Sequence, residues 1–323
     1  MTGPPDEPRG LTLRHRAAVA VAVGVLCAIY SVILLRRAPE WVSDFDQLWV
    51  AARAWRSGQD PYAAVSAQFP YPLFYPFTAV VFVLPFSLLP LAAARCLFVG
   101  LGSGLLAYAV LGRGPWMLWL FLGNNVRNAL LTAQWSTWLT AAALMPWLGL
   151  VFAAKPSLGL AIFGSRPSRR GAVAAGALVV VAFLLWLGWP GSWWTAIHTT
   201  AEGYRAPVTR PFGWLLLLAL VRWRNPDARL LAFIACVPQT TALYETVELY
   251  LVCRTRTEVA ILALLSYGVE LFAPSYQALP LAERLTAHWP WLFALVYLPA
   301  LIFVLRPREW FRKLGSGSPW ESP

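Results

Sequence analysis

The sequence is short of charge, and shorter still of acid. Charged residues occupy 13% of 323 positions, with 15 acidic side chains against 26 basic ones, where an ordinary soluble domain is about a quarter charged. With 59% of its residues hydrophobic, a soluble chain would have too little polar surface to cover its apolar bulk. Histidine and cysteine are scarce as well. Cys27, Cys96, Cys236 and Cys253 lie in or at the ends of apolar runs without metal-ligand spacing. That excludes a zinc ribbon or a Cys-x-x-Cys redox motif and leaves four small packing residues. No Gly-rich phosphate loop is visible, which argues against a bound nucleotide, and no internal repeat is evident.

What is present is a series of long apolar runs, at 17–35, 75–89, 91–111, 135–154, 171–189 and 291–305. About 20 apolar residues suffice to cross a bilayer core as a helix. The fold expected is therefore all-α: a polytopic integral membrane protein with about eight to ten transmembrane helices and no sizeable soluble domain. The first run follows Arg9, Arg14 and Arg16 as a secretory signal would. At about 19 residues it is longer than a signal core and no small-x-small site closes it, so it reads as a retained span.

The excess of positive charge falls in clusters between the runs: Arg9/Arg14/Arg16, Arg166/Arg169/Arg170, Arg222/Arg224/Arg229, Arg254/Arg256 and Arg306/Arg308/Arg312/Lys313. This is the positive-inside pattern of a multi-pass membrane protein, and it needs no nucleic acid to explain it. It divides the chain into a cytoplasmic tail at 1–16, one transmembrane domain at 17–306 and a cytoplasmic tail at 307–323. Outer loops are expected at 36–74, 190–211 and 274–290. The path through 131–163 and 229–253 is ambiguous because Arg127, Lys155, Pro146, Pro156 and Pro238 interrupt it.

The first outer loop is the most informative. Positions 43–57 read as a helix with Phe45, Leu48, Trp49, Ala52 and Trp55 on one stripe. It is too short to cross and is expected to lie flat in the membrane interface, with its tryptophans at headgroup depth. Gly58 stops it and Asp60-Pro61-Tyr62 turns the chain. Asp46 falls on the polar side with Arg53, where it can close a capping box on the Ser43 amide. Asp44 falls at the edge of the apolar stripe, where a carboxylate can take the proton of an attacking hydroxyl; a surface or cap carboxylate is the bland alternative.

Arg205 and Arg210 lie in an outer loop against the orienting charge bias, and such arginines can hold phosphate bidentately. Arg36, Arg37, Arg53 and Arg56 share that side, with ordinary headgroup contact as the simpler reading. Lys155 and Arg127 interrupt apolar sequence, which usually means a protein-lined cavity or snorkelling. His198 is a proton-transfer or phosphate candidate but is more ordinarily structural. Tyr62, Tyr75 and the loop tryptophans can stack on sugar or simply anchor at the interface.

Together these segments resemble a bacterial family of polyprenyl-phosphate-dependent mannosyltransferases, glycosyltransferase family 87, within the multi-spanning C-type glycosyltransferase fold. The pattern is Ser43-Asp44-Phe45, Ala51-Ala52 and Gly58-Gln59-Asp60-Pro61-Tyr62, followed by Phe74-Tyr75-Pro76-Phe77, Pro85 and Leu89-Pro90. Ala133-Gln134-Trp135-Ser136 is similar to a Gly-Gln-containing helix start, and Ala154-Lys155-Pro156 precedes the Arg166 cluster. The resemblance spans about 17–255 and is loose after its first third. The family's first-loop aspartate is catalytic, which falls on Asp44. The chain departs from the family where a Ser-Pro segment and a histidine are usual: Val237-Pro238-Gln239-Thr240 leads to Tyr244 and Glu245 with no histidine. Either Tyr244 or Glu245 takes that role, or donor handling differs, or the protein is inactive.

The resemblance implies an inverting hexosyltransferase, with a polyprenyl-phosphate sugar (mannose in the family) as donor and a lipid or glycan as acceptor at the outer leaflet. The phosphate candidates are Arg205, Arg210 and Lys155. No cluster demands a metal, although a divalent cation held partly by Asp44 and Asp46 stays open. The rivals are a transporter or lipid flippase, which predicts broken helices with polar groups near mid-membrane, and a non-catalytic membrane subunit.

Overall fold

The computed structural model describes residues 12–37, 43–198, 205–240, 242–273 and 281–306. Most of both expected tails, parts of each outer loop, and the loop residues Glu202 and Tyr204 lie outside the described residues. No β-strand occurs among the described residues; one isolated bridge joins Arg205 and Gln239.

Three helical stretches are long and apolar enough to cross a membrane: α1 (Leu13–Arg37), α5 (Leu91–Leu111) and the stretch Thr286–Leu305. Between α1 and α5 lie α2 (Asp44–Arg56), α3 (Pro61–Ser66) and α4 (Phe77–Val83). Then come α6 (Asn124–Leu131), α7 (Ser136–Leu144), α8 (Leu150–Ala154), α9 (Pro156–Ser165), α10 (Arg169–Leu185) and α11 (Trp189–His198). The chain continues through α12 (Pro226–Cys236), α13 (Arg256–Phe272), α14 (Leu281–Leu292) and α15 (Leu298–Leu305), the last two joined by a π-helical turn at Phe293–Tyr297. α10 and α11 make a fourth candidate span only if counted together across their 101° bend. The first helix begins at Leu13, four residues before the expected start of the membrane domain.

Several expected spans are broken. The run at 135–154 is divided at Met145 (φ −125°, ψ 85°), and Lys155 (φ −129°, ψ 79°) separates α8 from α9. Each precedes a proline, whose ring disfavours helical geometry in the residue before it. Elsewhere the chain uses long 3₁₀ segments, Pro115–Leu122, Gly213–Arg222 and Leu243–Val252. A 3₁₀ helix rises about 2.0 Å per residue, so ten residues reach about 20 Å.

α1 and α5 pack at backbone contact. A Cβ on Gly24 would stand 2.6 Å from the Gly100 carbonyl oxygen, and one on Gly104 would stand 3.1 Å from that of Ala20. Glycine at both positions lets the two longest helices close without a side-chain layer between them.

Each of the five basic clusters has a described member at one end of the molecule. Arg16 donates to the Tyr108 carbonyl near the end of α5 (2.7 Å). Arg113 forks onto the Leu251 and Cys253 carbonyls (2.9 and 3.0 Å). Arg166 and Arg254 both pair with Asp227. Arg229 caps the Ser165 carbonyl at the end of α9 (2.8 Å), and Arg222 reaches the Val304 carbonyl at the end of α15 (3.3 Å). The last carbonyls of a helix lack intrahelical partners and carry the negative end of its dipole, so arginine is their natural complement. The far ends of α1 and α5 lie about 30 Å from this network, given a rise of about 1.5 Å per residue.

Candidate functional site

At that far end Ser43 begins α2. Its hydroxyl accepts from the Phe45 amide (3.1 Å) and donates to the Thr132 carbonyl (2.8 Å), tying the first turn to the elbow after α6. The helix is present over the expected residues, but its apolar stripe is not left for lipid. Phe45, Leu48 and Ala52 are buried against protein. Trp49 donates to the Leu89 carbonyl (3.1 Å) and Trp55 stacks on Trp186 (5.5 Å between centroids). The stripe expected to face the membrane interface is instead covered by α4, α5 and the aromatics around them.

Asp46 is not on an open polar side either. It is buried and ion-paired with Arg95 of α5, whose Nε donates to Oδ1 at 3.0 Å. Burial pushes its carboxyl above the usual range, opposed by Arg95 and by the Ser43 backbone; the expected capping box is not closed, because the Ser43 hydroxyl accepts from the Phe45 amide and not from that of Asp46. Arg95 was missed in the sequence, although a charge inside the 91–111 run is the same signal that marks Arg127 and Lys155.

Asp44, half-buried, turns the other way. Its Oδ2 accepts the Tyr75 hydroxyl at 2.6 Å. Tyr62 lies behind, its hydroxyl donating to the Tyr75 carbonyl (3.2 Å) and its ring against Trp186. Tyr62 is thus a support for Tyr75, not an open stacking face. Gln134 Oε1 approaches the Tyr75 hydroxyl at 3.5 Å. Tyrosine has one hydroxyl proton, spent on Asp44, so Gln134 can serve that oxygen only through its amide nitrogen.

Gln134 is aimed there by the end of α6. Ala133 takes left-handed geometry (φ 47°), its amide returns to Leu130 (3.4 Å), and the Gln134 amide returns to Ala129 (2.9 Å). This pair of bonds is a Schellman turn, where glycine is usual.

From Pro76, the residue after Tyr75, opens an apolar groove of about 360 Å³, lined also by Thr78, Phe152, Pro156, Leu160 and Val179 among others. Trp193 closes over it and donates to the Phe74 carbonyl (2.9 Å).

A second polar group is linked to the first through the same elbow, because Ser136 donates to the Tyr244 carbonyl (2.7 Å). Lys155 Nζ lies 3.2 Å from Glu245 Oε1 and over the Tyr244 ring (5.3 Å). Thr240 donates to Glu245 Oε2 (2.7 Å). Glu248, fully buried, has neither carboxylate oxygen hydrogen-bonded among the described residues. Residues three apart eclipse on a 3₁₀ helix, so Glu245 and Glu248 share one face.

The remaining candidates separate. The Arg205 side chain is exposed while its backbone bridges to Gln239. Arg210 is buried with Nε unpartnered among the described residues, and burial lowers the affinity of its guanidinium for its proton. His198 is exposed and turned onto its own helix, 3.9 Å from the Trp194 ring centroid with Nδ1 3.0 Å from the Trp194 carbonyl. It therefore does not join the site. Arg127 is held by Asn124 (3.0 Å) and Glu270 (3.3 Å). Because Asp46 is committed to Arg95, Asp44 and Asp46 do not converge as metal ligands. No group of three or more potential ligands occurs among the described residues.

No family model, curated protein or solved structure matches the chain.

Proposed function

We propose that the protein is a polytopic membrane hexosyltransferase that uses a polyprenyl-phosphate sugar at the extracytoplasmic face, with the basic network in the cytoplasm. The broken helices and long 3₁₀ segments make up the remaining membrane crossings beyond the long spans. The observation that carries this reading is the Asp44–Tyr75 pair. A partly accessible carboxylate is held in a defined orientation at the end remote from the basic network, by a tyrosine whose neighbour in the chain, Pro76, lines an apolar groove.

On this reading Asp44 takes the proton of the acceptor hydroxyl. The oxygen then bonds to the anomeric carbon, and the carbon–oxygen bond to phosphate breaks with its electron pair leaving on the polyprenyl phosphate. Attack and departure on opposite faces invert the anomeric centre. The groove beside Pro76 suits the apolar chain of such a donor. The resemblance of residues 43–62 and 74–90 to family 87 points the same way, as does the left-handed Ala133 where the family pattern carries glycine. The test is transfer of radiolabelled hexose from polyprenyl phosphate by membranes containing wild type or Asp44→Asn. Loss in the variant is expected, and equal transfer by both would remove Asp44 from the mechanism.

A second reading, a transporter or flippase, is favoured by one observation: Lys155, Glu245 and Glu248 are buried together among interrupted helices. Ionisable groups in such places mark substrate or ion pathways. Movement of a labelled lipid or solute that survives Asp44→Asn but not Glu248→Gln would select it.

A further inference from the structure

Arg210 is a buried cation with no ion-pair partner among the described residues. Its relative exposure is 7%, and Nε has no hydrogen-bond partner. None of the ion pairs among the described residues includes it. The charged side chain that acts on it is another cation, Arg205, and the neutral Tyr297 hydroxyl lies near. Buried guanidinium groups are ordinarily paired, because taking the charge out of water without compensation is costly.

The backbone holds Arg210 where it is. The Arg210 amide returns to the Pro207 carbonyl (3.0 Å) and its carbonyl accepts from Gly213 (2.9 Å). Trp289 donates to the Pro211 carbonyl (2.8 Å). Phe212 is kept in left-handed geometry (φ 61°), and a Cβ on Gly213 would come within 1.8 Å of the Pro207 oxygen. A strained non-glycine residue persists only where its surroundings over-determine it, and such strain gathers at ligand clamps.

The other two cations considered for this role are differently placed: Lys155 is already neutralised by Glu245, and the Arg205 side chain is open to solvent. Two and four positions along the chain, Phe212 and Trp214 are 65% and 58% exposed. The segment thus carries a planar fork of donors and, within four residues of it, two exposed aromatic rings.

We propose that Arg210 is the principal anion-binding residue of this face, that Arg205 assists it at the rim, and that the ligand is a phosphate monoester or diester. The guanidinium geometry suits two phosphate oxygens at once, and the exposed aromatics favour a phosphate carrying an apolar chain. This deepens the hexosyltransferase reading by naming the group that meets the donor's phosphate, but binding can be measured without transfer.

The experiment is thermal unfolding of the purified full-length chain with farnesyl phosphate, farnesol or inorganic phosphate. Wild type is expected to gain stability with farnesyl phosphate in a concentration-dependent way and not with farnesol. Arg210→Met should abolish that gain, and its unliganded melting temperature should equal or exceed that of wild type, because an uncompensated charge has been removed. Arg210→Lys, which keeps the charge and loses the fork, should need at least about tenfold more ligand. Arg205→Gln should weaken binding less. An equal gain with inorganic phosphate supports the same site with free phosphate as its source. An undiminished gain in Arg210→Lys, no gain in wild type with either phosphate, or a farnesol gain equal to that of farnesyl phosphate overturns the proposal. Binding retained in Asp44→Asn without transfer by wild type would refute the hexosyltransferase reading alone.

Discussion

Tyr75 and Asp44, 31 positions apart, share a 2.6 Å hydrogen bond in which the phenol donates and the carboxylate accepts. The bond fixes one carboxylate oxygen; on the proposed reading the other meets the acceptor hydroxyl. A hydrogen bond to a charged group contributes about 1.5–3 kcal/mol, or roughly 10- to 100-fold in an equilibrium. In the proposed reaction Tyr75→Phe should therefore lower transfer by about tenfold or more, whereas Asp44→Asn should lower it by at least about 100-fold, in the range of general-base catalysis. Initial rates at saturating donor give the comparison. A Tyr75→Phe protein as impaired as Asp44→Asn would mean that the tyrosine itself handles the proton.

The α1–α5 contact predicts a steric effect. Gly24→Ala would set a Cβ 2.6 Å from the Gly100 carbonyl oxygen, a backbone atom that cannot swing aside. Overpacking of this kind costs about 1–3 kcal/mol. Gly176 in α10 has nothing within 4 Å of its would-be Cβ, so Gly176→Ala should leave stability unchanged or raise it by about 0.5–1 kcal/mol. Thermal unfolding in one detergent separates the two, and equal effects would contradict the close packing.

Lys155 and Glu245 predict a double-mutant result. Removing one partner of a buried pair leaves an isolated charge and costs about 3–5 kcal/mol, whereas replacing both with apolar residues of similar size is often neutral. Lys155→Met and Glu245→Leu should each destabilise the protein, and the double variant should recover most of the loss. Additive losses would show that each residue is stabilised by something other than its partner.

How much of this was legible in the sequence follows from range. The helix at 44–56 with its serine cap was legible because capping and stripe are local, and α1 and α5 were legible because their apolar runs are unbroken. The interruptions at Met145 and Lys155 were marked by the prolines after them. The long 3₁₀ segments were not legible, since an apolar decapeptide has the same composition in either helix. Asp44, Tyr75 and Gln134 were each singled out, but their convergence was not, because it depends on the turn at Ala133 and on Ser43 reaching Thr132. Asp46 was assigned outward because a helical wheel shows angle without neighbours, and Arg95 arrives from a helix 49 positions away. The buried state of Arg210 and the neutralised state of Lys155 are likewise long-range facts.

All the chemistry proposed depends on the two ends of the molecule facing different compartments. In a variant with its four cysteines replaced, Gln59→Cys beyond α2 and Pro167→Cys within the basic network place single exposed thiols at opposite ends. A membrane-impermeant maleimide added to intact cells should label position 59 and leave position 167 unmodified until the cells are broken. Labelling of both positions in intact cells, or of 167 alone, would contradict the arrangement and with it the meeting of Asp44 with a lipid-borne sugar.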